Sequence, residues 1–211
     1  MIISLNNNRY SRHLTPRAAD GWQERPPAAN AIRWAAGEFM FQSGANWFGA
    51  SKRDPRVVGL YARHYSSKKN NKGIAEWLSF GITSPGAVIV LLTSDASALF
   101  VWLKQKYHSN DQAGVNCAVF RNEGHILSST LILEAEEIAW AKWPAERLFT
   151  YVDPGAVNSC NPGYCFKVAG WELVRNANSQ PLTTARGLLI FEKLPETQPN
   201  KVFQPTEERC G

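Results

Sequence analysis

The sequence predicts an α/β (α+β) fold, with a mixed, mostly antiparallel central sheet flanked by helices. Three observations predict it. After residue 55 the apolar runs follow the order strand, strand, strand, helix, strand, helix, strand, strand. Two of those runs carry helix signals, one stopped by Pro144 and one opened near Pro162 and closed by Gly170. Hydrophobic residues make up 44% of 211, with 8 Trp and 10 Phe, enough to fill one domain core and too many for a disordered chain.

Residues 1–54 show no sustained period and read as an N-terminal extension laid on the domain. Within it, AIRWAAGEFMF (31–41) suggests a short helix, with Trp34 and Phe41 on related faces. RVVGLYARHYSSKKNNKG, from Arg56, starts apolar and turns basic: a short element, then a Lys- and Asn-rich loop. GAVIVLLTSD (86–95) and ASALFVWLKQKY (96–107) are strands joined by a turn. GVNCAVFRNEG (114–124) is a third, with Val115, Cys117 and Val119 alternating onto one face.

SSTLILEAEEIAWAKWP (128–144) has Leu131, Ile132, Ala135, Ile138 and Ala139 at helical spacing, and Ser128 or Ser129 can cap it. RLFTYVDP (147–154) is a strand ended by Asp-Pro. NPGYCFKVAG (161–170) is a short helix, WELV (171–174) begins a strand, and GLLIFEKL (187–194) pairs back across a polar loop. The domain is thus expected over 55–195, with a polar tail over 196–211.

The net charge of +5 suits a polyanionic partner without demanding one. AVIVLL (87–92) is far short of the about 20 apolar residues a membrane span needs, and the first residues resemble no secretory signal. The expectation is a cytoplasmic protein without a membrane partner. Cys117, Cys160, Cys165 and Cys210 form no disulfide framework, and thiols in a reducing compartment suit their spacing better than a zinc site.

Several residues can carry chemistry. His64 is a base near neutral pH or a metal ligand, with Tyr61 and Tyr65 beside it to orient it. Arg63, Lys68, Lys69 and Lys72 can meet phosphates. Arg121 can clamp an anion, Ser128 and Ser129 can bind the same anion above the helix amides, and His125 is a spare acid-base or metal candidate. Asp153, at a strand's C-terminal end with Tyr151 on its side, can orient His64, hold a metal or take a proton. Asn161 and Pro162 set a helix start. Each also has a plainer reading: a surface histidine, a solvated lysine turn, a helix cap, an Asp-Pro turn. Trp34, Trp47 and Phe48 can stack on bases or simply anchor the extension.

NPGYCFKVAGW (161–171), after a strand, resembles the final part of the GNAT superfamily of acyl-CoA N-acyltransferases, with Trp171 where Phe is usual. RNEGHILSS (121–129) stands where that superfamily carries a Gly-rich cofactor loop, and is poorer in Gly. YARHYSSKK, FRNEGHILSSTLILEA, YVDP and NPGYCFKVAGW, in that order, resemble the phage Mom-like DNA-modification family over roughly 56–194. That resemblance implies a GNAT-like catalytic domain adding a carbamoylmethyl-type group to the N6 amine of adenine in duplex DNA.

It also implies an acetyl-CoA or related acyl-CoA donor, iron as a cofactor, Tyr164 as general acid, and an anti-restriction role. Arg121, Ser128, Ser129 and Asn161 fall on the cofactor side; Tyr61, Arg63, Tyr65, Lys68 and Lys69 on the DNA side; His64 and Asp153 on the catalytic and metal side. The expected partners are double-stranded DNA and, as a homodimer, a second copy of the chain. The competing readings are an ordinary acyl-CoA-dependent N-acetyltransferase acting on a small amine or protein, and a non-enzymatic basic nucleic-acid-binding module.

Overall fold

Among the described residues (31–33, 39–43, 45–69, 72–106, 112–157 and 159–195 of a computed structural model) nine strands form one sheet. The strands are β1 (Ala31–Arg33), β2 (Phe39–Ser43), β3 (Trp47–Gly49), β4 (Gly86–Thr93), β5 (Ala98–Gln105), β6 (Val115–Asn122), β7 (Leu148–Val152), β8 (Glu172–Leu173) and β9 (Leu189–Lys193). Their order across the sheet is β1-β2-β3-β4-β5-β6-β7-β9-β8. Every neighbouring pair is antiparallel except β6 and β7, which run parallel because α3 (Ser128–Lys142) crosses between them.

The fold is therefore mixed α/β, with a largely antiparallel central sheet flanked by helices. None of the helices of the described residues is long and apolar enough to cross a membrane. Trp34, Cys210 and the tail over 196–211 lie outside the described residues.

Three sequence expectations change. The stretch 31–41 supplies strands β1 and β2 rather than a helix, because its backbone groups are taken up by antiparallel pairing such as Ile32 with Met40. With β3 bonded to β4 through Trp47–Thr93, the sheet begins ahead of residue 55. The segment after Arg56 is α1 (Pro55–Arg63), a 3-10 turn (Tyr65–Lys69) and α2 (Ile74–Phe80). Asp54 caps α1 by accepting the Arg56 N–H at 2.8 Å, and Pro55 stands at the first position, where its missing N–H costs nothing.

The third change concerns β6. Val115 and Cys117 face one side of the sheet, yet Val119 packs on the other. Trp102 pairs with Cys117 while Val101 pairs with Val119, so Ala118 is an extra residue: a β-bulge that reverses the alternation and bends the strand.

Two cores lie on the two faces. Under α3 and α4 (Tyr164–Val168) are Trp47, Leu91, Phe100, Trp102, Cys117, Leu131, Leu148, Phe166 and Phe191. Under α1 and α2 are Val57, Leu60, Tyr61, Trp77, Val90, Leu99 and Val119. α3 is held by side-chain bonds as well as packing. The Trp47 and Trp102 indoles donate to the Leu131 and Ala135 carbonyls, both at 2.8 Å. Glu136, 2% exposed, accepts from the Trp171 indole and from Lys193, whose ammonium also donates to the Ala169 carbonyl. Removing a buried acceptor strands its donors, so this network fixes where α3 and α4 sit.

Candidate functional site

Among the described residues β6 and β7 are the parallel pair of the sheet, and β6 carries the bulge in its pairing with β5. β6 and β7 pair only through Val115–Leu148, Asn116–Phe149 and Cys117–Thr150. Past that point both strands continue, and the bulge at Ala118 turns β6 away. Side chains satisfy the backbone carbonyls that the lost ladder leaves behind. The Thr150 hydroxyl donates to the Cys117 carbonyl at 3.0 Å. The Tyr65 hydroxyl donates to the Tyr151 carbonyl at 3.2 Å. The His64 and Tyr65 rings lie 4.3 Å apart, centroid to centroid, and enter the gap together.

They leave a cavity of about 130 Å³, lined by His64, Tyr65, Cys117, Thr150, Gly163 and Cys165 among others. At about 30 Å³ per water that is room for roughly four waters, or for a two-carbon unit with its carbonyl.

His64 is 6% exposed. Burial first, and the Arg121 charge second, lower its pKa to about 4, so the imidazole is neutral at pH 7. Nδ1 lies 2.8 Å from the Ser66 Oγ and accepts the Ser66 N–H at 3.2 Å. Ser66, unnoticed in the sequence, thus orients the ring in the role expected of Asp153. Tyr65 has its phenol pushed up, chiefly by burial. Burial pushes the Cys117 thiol well above the usual thiol range and raises Cys165 as well, so both are thiols rather than thiolates at neutral pH.

Asp153 accepts the Gly155 N–H at 3.0 Å, an Asx turn beyond β7, within electrostatic reach of Tyr65. Tyr164 is 61% exposed at the head of α4, while its neighbours Gly163 and Cys165 line the cavity. Gly163 has φ +77°, and a Cβ there would come within 2.5 Å of the Phe191 ring, so glycine is what lets α4 begin against the sheet.

Ser128 and Ser129 lie inside the first turn of α3, and the cap position is Leu127, which makes no side-chain capping bond. The serine-cap expectation fails because the Ser128 hydroxyl accepts from the Asn122 amide at 3.0 Å instead. A helix of 15 residues therefore starts with no acidic residue and no side chain on its first amides, at the end of the sheet where β6 leaves the gap. Arg121 donates to Glu123 and to the Arg63 carbonyl, and Arg63 donates to Glu123 through two nitrogens, so both guanidinium groups are drawn into one carboxylate clamp. This clamp, led by Arg63, lowers the Glu123 pKa to about 2. Asn161 accepts from Lys167 at 2.5 Å.

On the DNA side the residues divide. Tyr61 is 3% exposed and packs edge-on to Trp77 at 4.9 Å, so it belongs to the core and offers a duplex no surface. Lys68 is exposed; the Lys69 side chain lies outside the described residues. Trp47 is fully buried, an anchor rather than a stacking platform.

His64 and Asp153, the residues expected to hold iron, each make a hydrogen bond within the chain. Ser66 occupies Nδ1 of His64 and Gly155 engages Asp153, and no group of three His, Cys, Asp or Glu side chains suited to a metal occurs among the described residues. Of the cavity-lining residues, Thr150 carried no functional signal in the sequence, and Cys117 and Cys165 were weighed only as zinc ligands or free thiols.

No family model matches the chain, and neither a curated protein nor a solved structure matches it.

Proposed function

We propose that the protein is a GNAT-like transferase that places an acyl-derived, carbamoylmethyl-type group on the N6 amine of adenine in DNA. The observation that carries this reading is the parallel β6–β7 pair that parts after three residue pairs beside a bulge, next to a long helix with an uncapped start. The order of elements from β3 to β8 is consistent with a generic GNAT-like topology. The DNA target rests on the sequence resemblance and on the net charge of +5.

In this reading the donor carries an activated two-carbon group on a leaving group, and the N6–carbon bond forms as the bond from that carbon to the leaving group breaks. From an acyl-CoA thioester the group would arrive as an acyl unit with the CoA thiol departing; a carbamoylmethyl group needs a donor already activated at its methylene carbon. The first-turn amides of α3, together with Ser129, hold its phosphates. The cavity takes its reacting end, with Thr150, Tyr65 and His64 as walls. N6 of adenine is a poor nucleophile because its lone pair is shared with the ring, so its proton must leave as the new bond forms. Neutral His64, with Ser66 on Nδ1, is the acceptor nearest the cavity, and the Ser66 hydroxyl can relay the proton. Tyr164, exposed at the head of α4 between the cavity-lining Gly163 and Cys165, is the residue cast as the acid that protonates the leaving atom.

Nucleoside mass spectrometry on DNA from a bacterial host expressing the wild type tests this. A heavier deoxyadenosine is expected, and is expected to be lost in His64→Phe and reduced in Tyr164→Phe. Unmodified nucleosides from cells rich in folded wild type, combined with acetyl-CoA binding by the purified protein, would turn the reading to an ordinary N-acetyltransferase.

A further inference from the structure

A second cationic feature lies apart from the gap. α1 and α2 pack on one face of the sheet, and between the end of α2 and the loop leading into β4 runs a groove of about 530 Å³, lined by Lys52, Lys72, Phe80, Thr83 and Ser84 among others. It is built rather than incidental. The Lys52 stem lies across Gly81, where a Cβ would meet its Cγ and Cδ at 2.5 Å and where φ is +86°. The Ile82 N–H donates to the Lys52 carbonyl at 3.2 Å, fixing the same residue from its backbone.

The carboxylates nearby are already used. Asp54 is paired with Arg56 at 2.7 Å, and Glu76 accepts the Gly73 N–H at 3.2 Å. Among the described residues neither Lys52 nor Lys72 has a carboxylate partner. Phe80 stands 71% exposed on the wall, and the Thr83 hydroxyl is buried with no hydrogen-bond partner. Exposed Arg53 lines an adjoining recess.

We propose that this groove binds the phosphodiester backbone of duplex DNA. The proposal rests on the DNA-modifying reading and gives it a docking surface. Two lysines left without anionic partners beside an exposed ring are what a phosphate-sugar chain meets well: charge on the phosphates, apolar surface on the sugar. Lys72 and Lys68 lie on the connection between α1 and α2, which begins with the His64–Tyr65 pair that enters the β6–β7 gap. In the DNA-modifying reading an adenine has to leave the stack to react.

The test is fluorescence anisotropy of the full chain on a labelled DNA duplex, titrated with KCl. Comparison is with a Lys52→Gln/Lys72→Gln double variant and with Arg186→Gln, which removes an exposed charge on the β8–β9 loop. The double variant is expected to lower the slope of log K against log salt by about 1.8, two contacts at roughly 0.9 each, while Arg186→Gln keeps the wild-type slope. Thermal melts verify that each variant is folded.

An unchanged slope in the double variant overturns the proposal, as does an equal drop in Arg186→Gln or a wild type that binds no duplex. Nucleoside analysis of the host DNA separates the two ideas. A modified base with an unchanged slope sinks the groove alone. A lowered slope without a modified base leaves the groove standing and sinks the transferase.

Discussion

The two faces of the sheet are held by different physics. On the α3 and α4 face, indoles and an ammonium reach into the helix: Trp47 to Leu131, Trp102 to Ala135, Trp171 and Lys193 to Glu136. On the α1 and α2 face the contacts are Val, Leu and an edge-on Tyr61–Trp77 pair, with shape and dispersion in place of directed bonds. Directed bonds fix a register, whereas apolar packing tolerates small shifts. The first face carries the helix start proposed to hold the donor; the second carries His64 and Tyr65, which line the cavity proposed to take its reacting end.

The sharpest way to break that comparison is Glu136→Ala. It leaves the Lys193 ammonium and the Trp171 indole without their carboxylate in the core, and the expected loss is about 3–5 kcal/mol of unfolding free energy in urea titrations. Val58→Ala on the other face, 1% exposed, removes two methyl groups and is expected to lose roughly 2 kcal/mol. If Val58→Ala proves the costlier, the polar network is not what fixes the α3 face.

His64 tests the other side through pH. Its folded pKa of about 4 lies below the ordinary 6.5, so between those values the unfolded chain binds the extra proton. Stability therefore rises with pH across that window: the contribution is full above 6.5 and is lost as pH falls through 4. The difference is worth about 3 kcal/mol at 1.36 kcal/mol per pKa unit. Unfolding measured from pH 4 to 6.5 is expected to show that slope in the wild type and a flatter one in His64→Phe. Equal slopes would mean that another group is titrating.

How much of this was legible in the sequence depends on the length over which each signal is written. α3 was readable because fifteen residues repeat an apolar period and Pro144 stops it. β1 and β3 were not, since three residues carry no period and pairing alone makes them strands. The bulge was invisible because Val115, Cys117 and Val119 look like an unbroken alternation; only the pairing with β5 shows Ala118 as the extra residue. At the site, residue type pointed to His64, but burial and the bond to Ser66 are properties of the 3-10 turn folding back on the ring. Tyr61 was misread because the sequence does not say which face of α1 is buried, and Trp77, its partner, comes from α2.

A smaller effect is expected from Tyr65→Phe. The ring still fills its place, but the Tyr151 carbonyl loses its donor, which is expected to cost about 1 kcal/mol in stability. The same change loosens the plug in the gap. A fall in stability with donor binding unchanged or tighter sharpens the comparison, since it makes the α1 side the one that yields. A large loss of fold stability would instead make Tyr65 a structural post.

The smallest effect belongs to the clamp at the rim. Arg63, Glu123 and Arg121 are each partly exposed, with side chains 52%, 32% and 29% accessible, so water screens their attraction. Arg121→Gln is expected to change stability by less than about 1 kcal/mol. Its electrostatic reach is the more telling readout. The Arg121 charge is the second cause, after burial, of the low His64 pKa, so removing it is expected to raise the His64 titration midpoint toward the ordinary value while burial keeps it below 6.5. NMR titration of the imidazole reads this directly. A midpoint that does not move means that burial alone keeps His64 neutral. A rise shows the rim cation acting on a ring it does not touch, and makes the exposed clamp part of how the α1 side sets the protonation state in the gap.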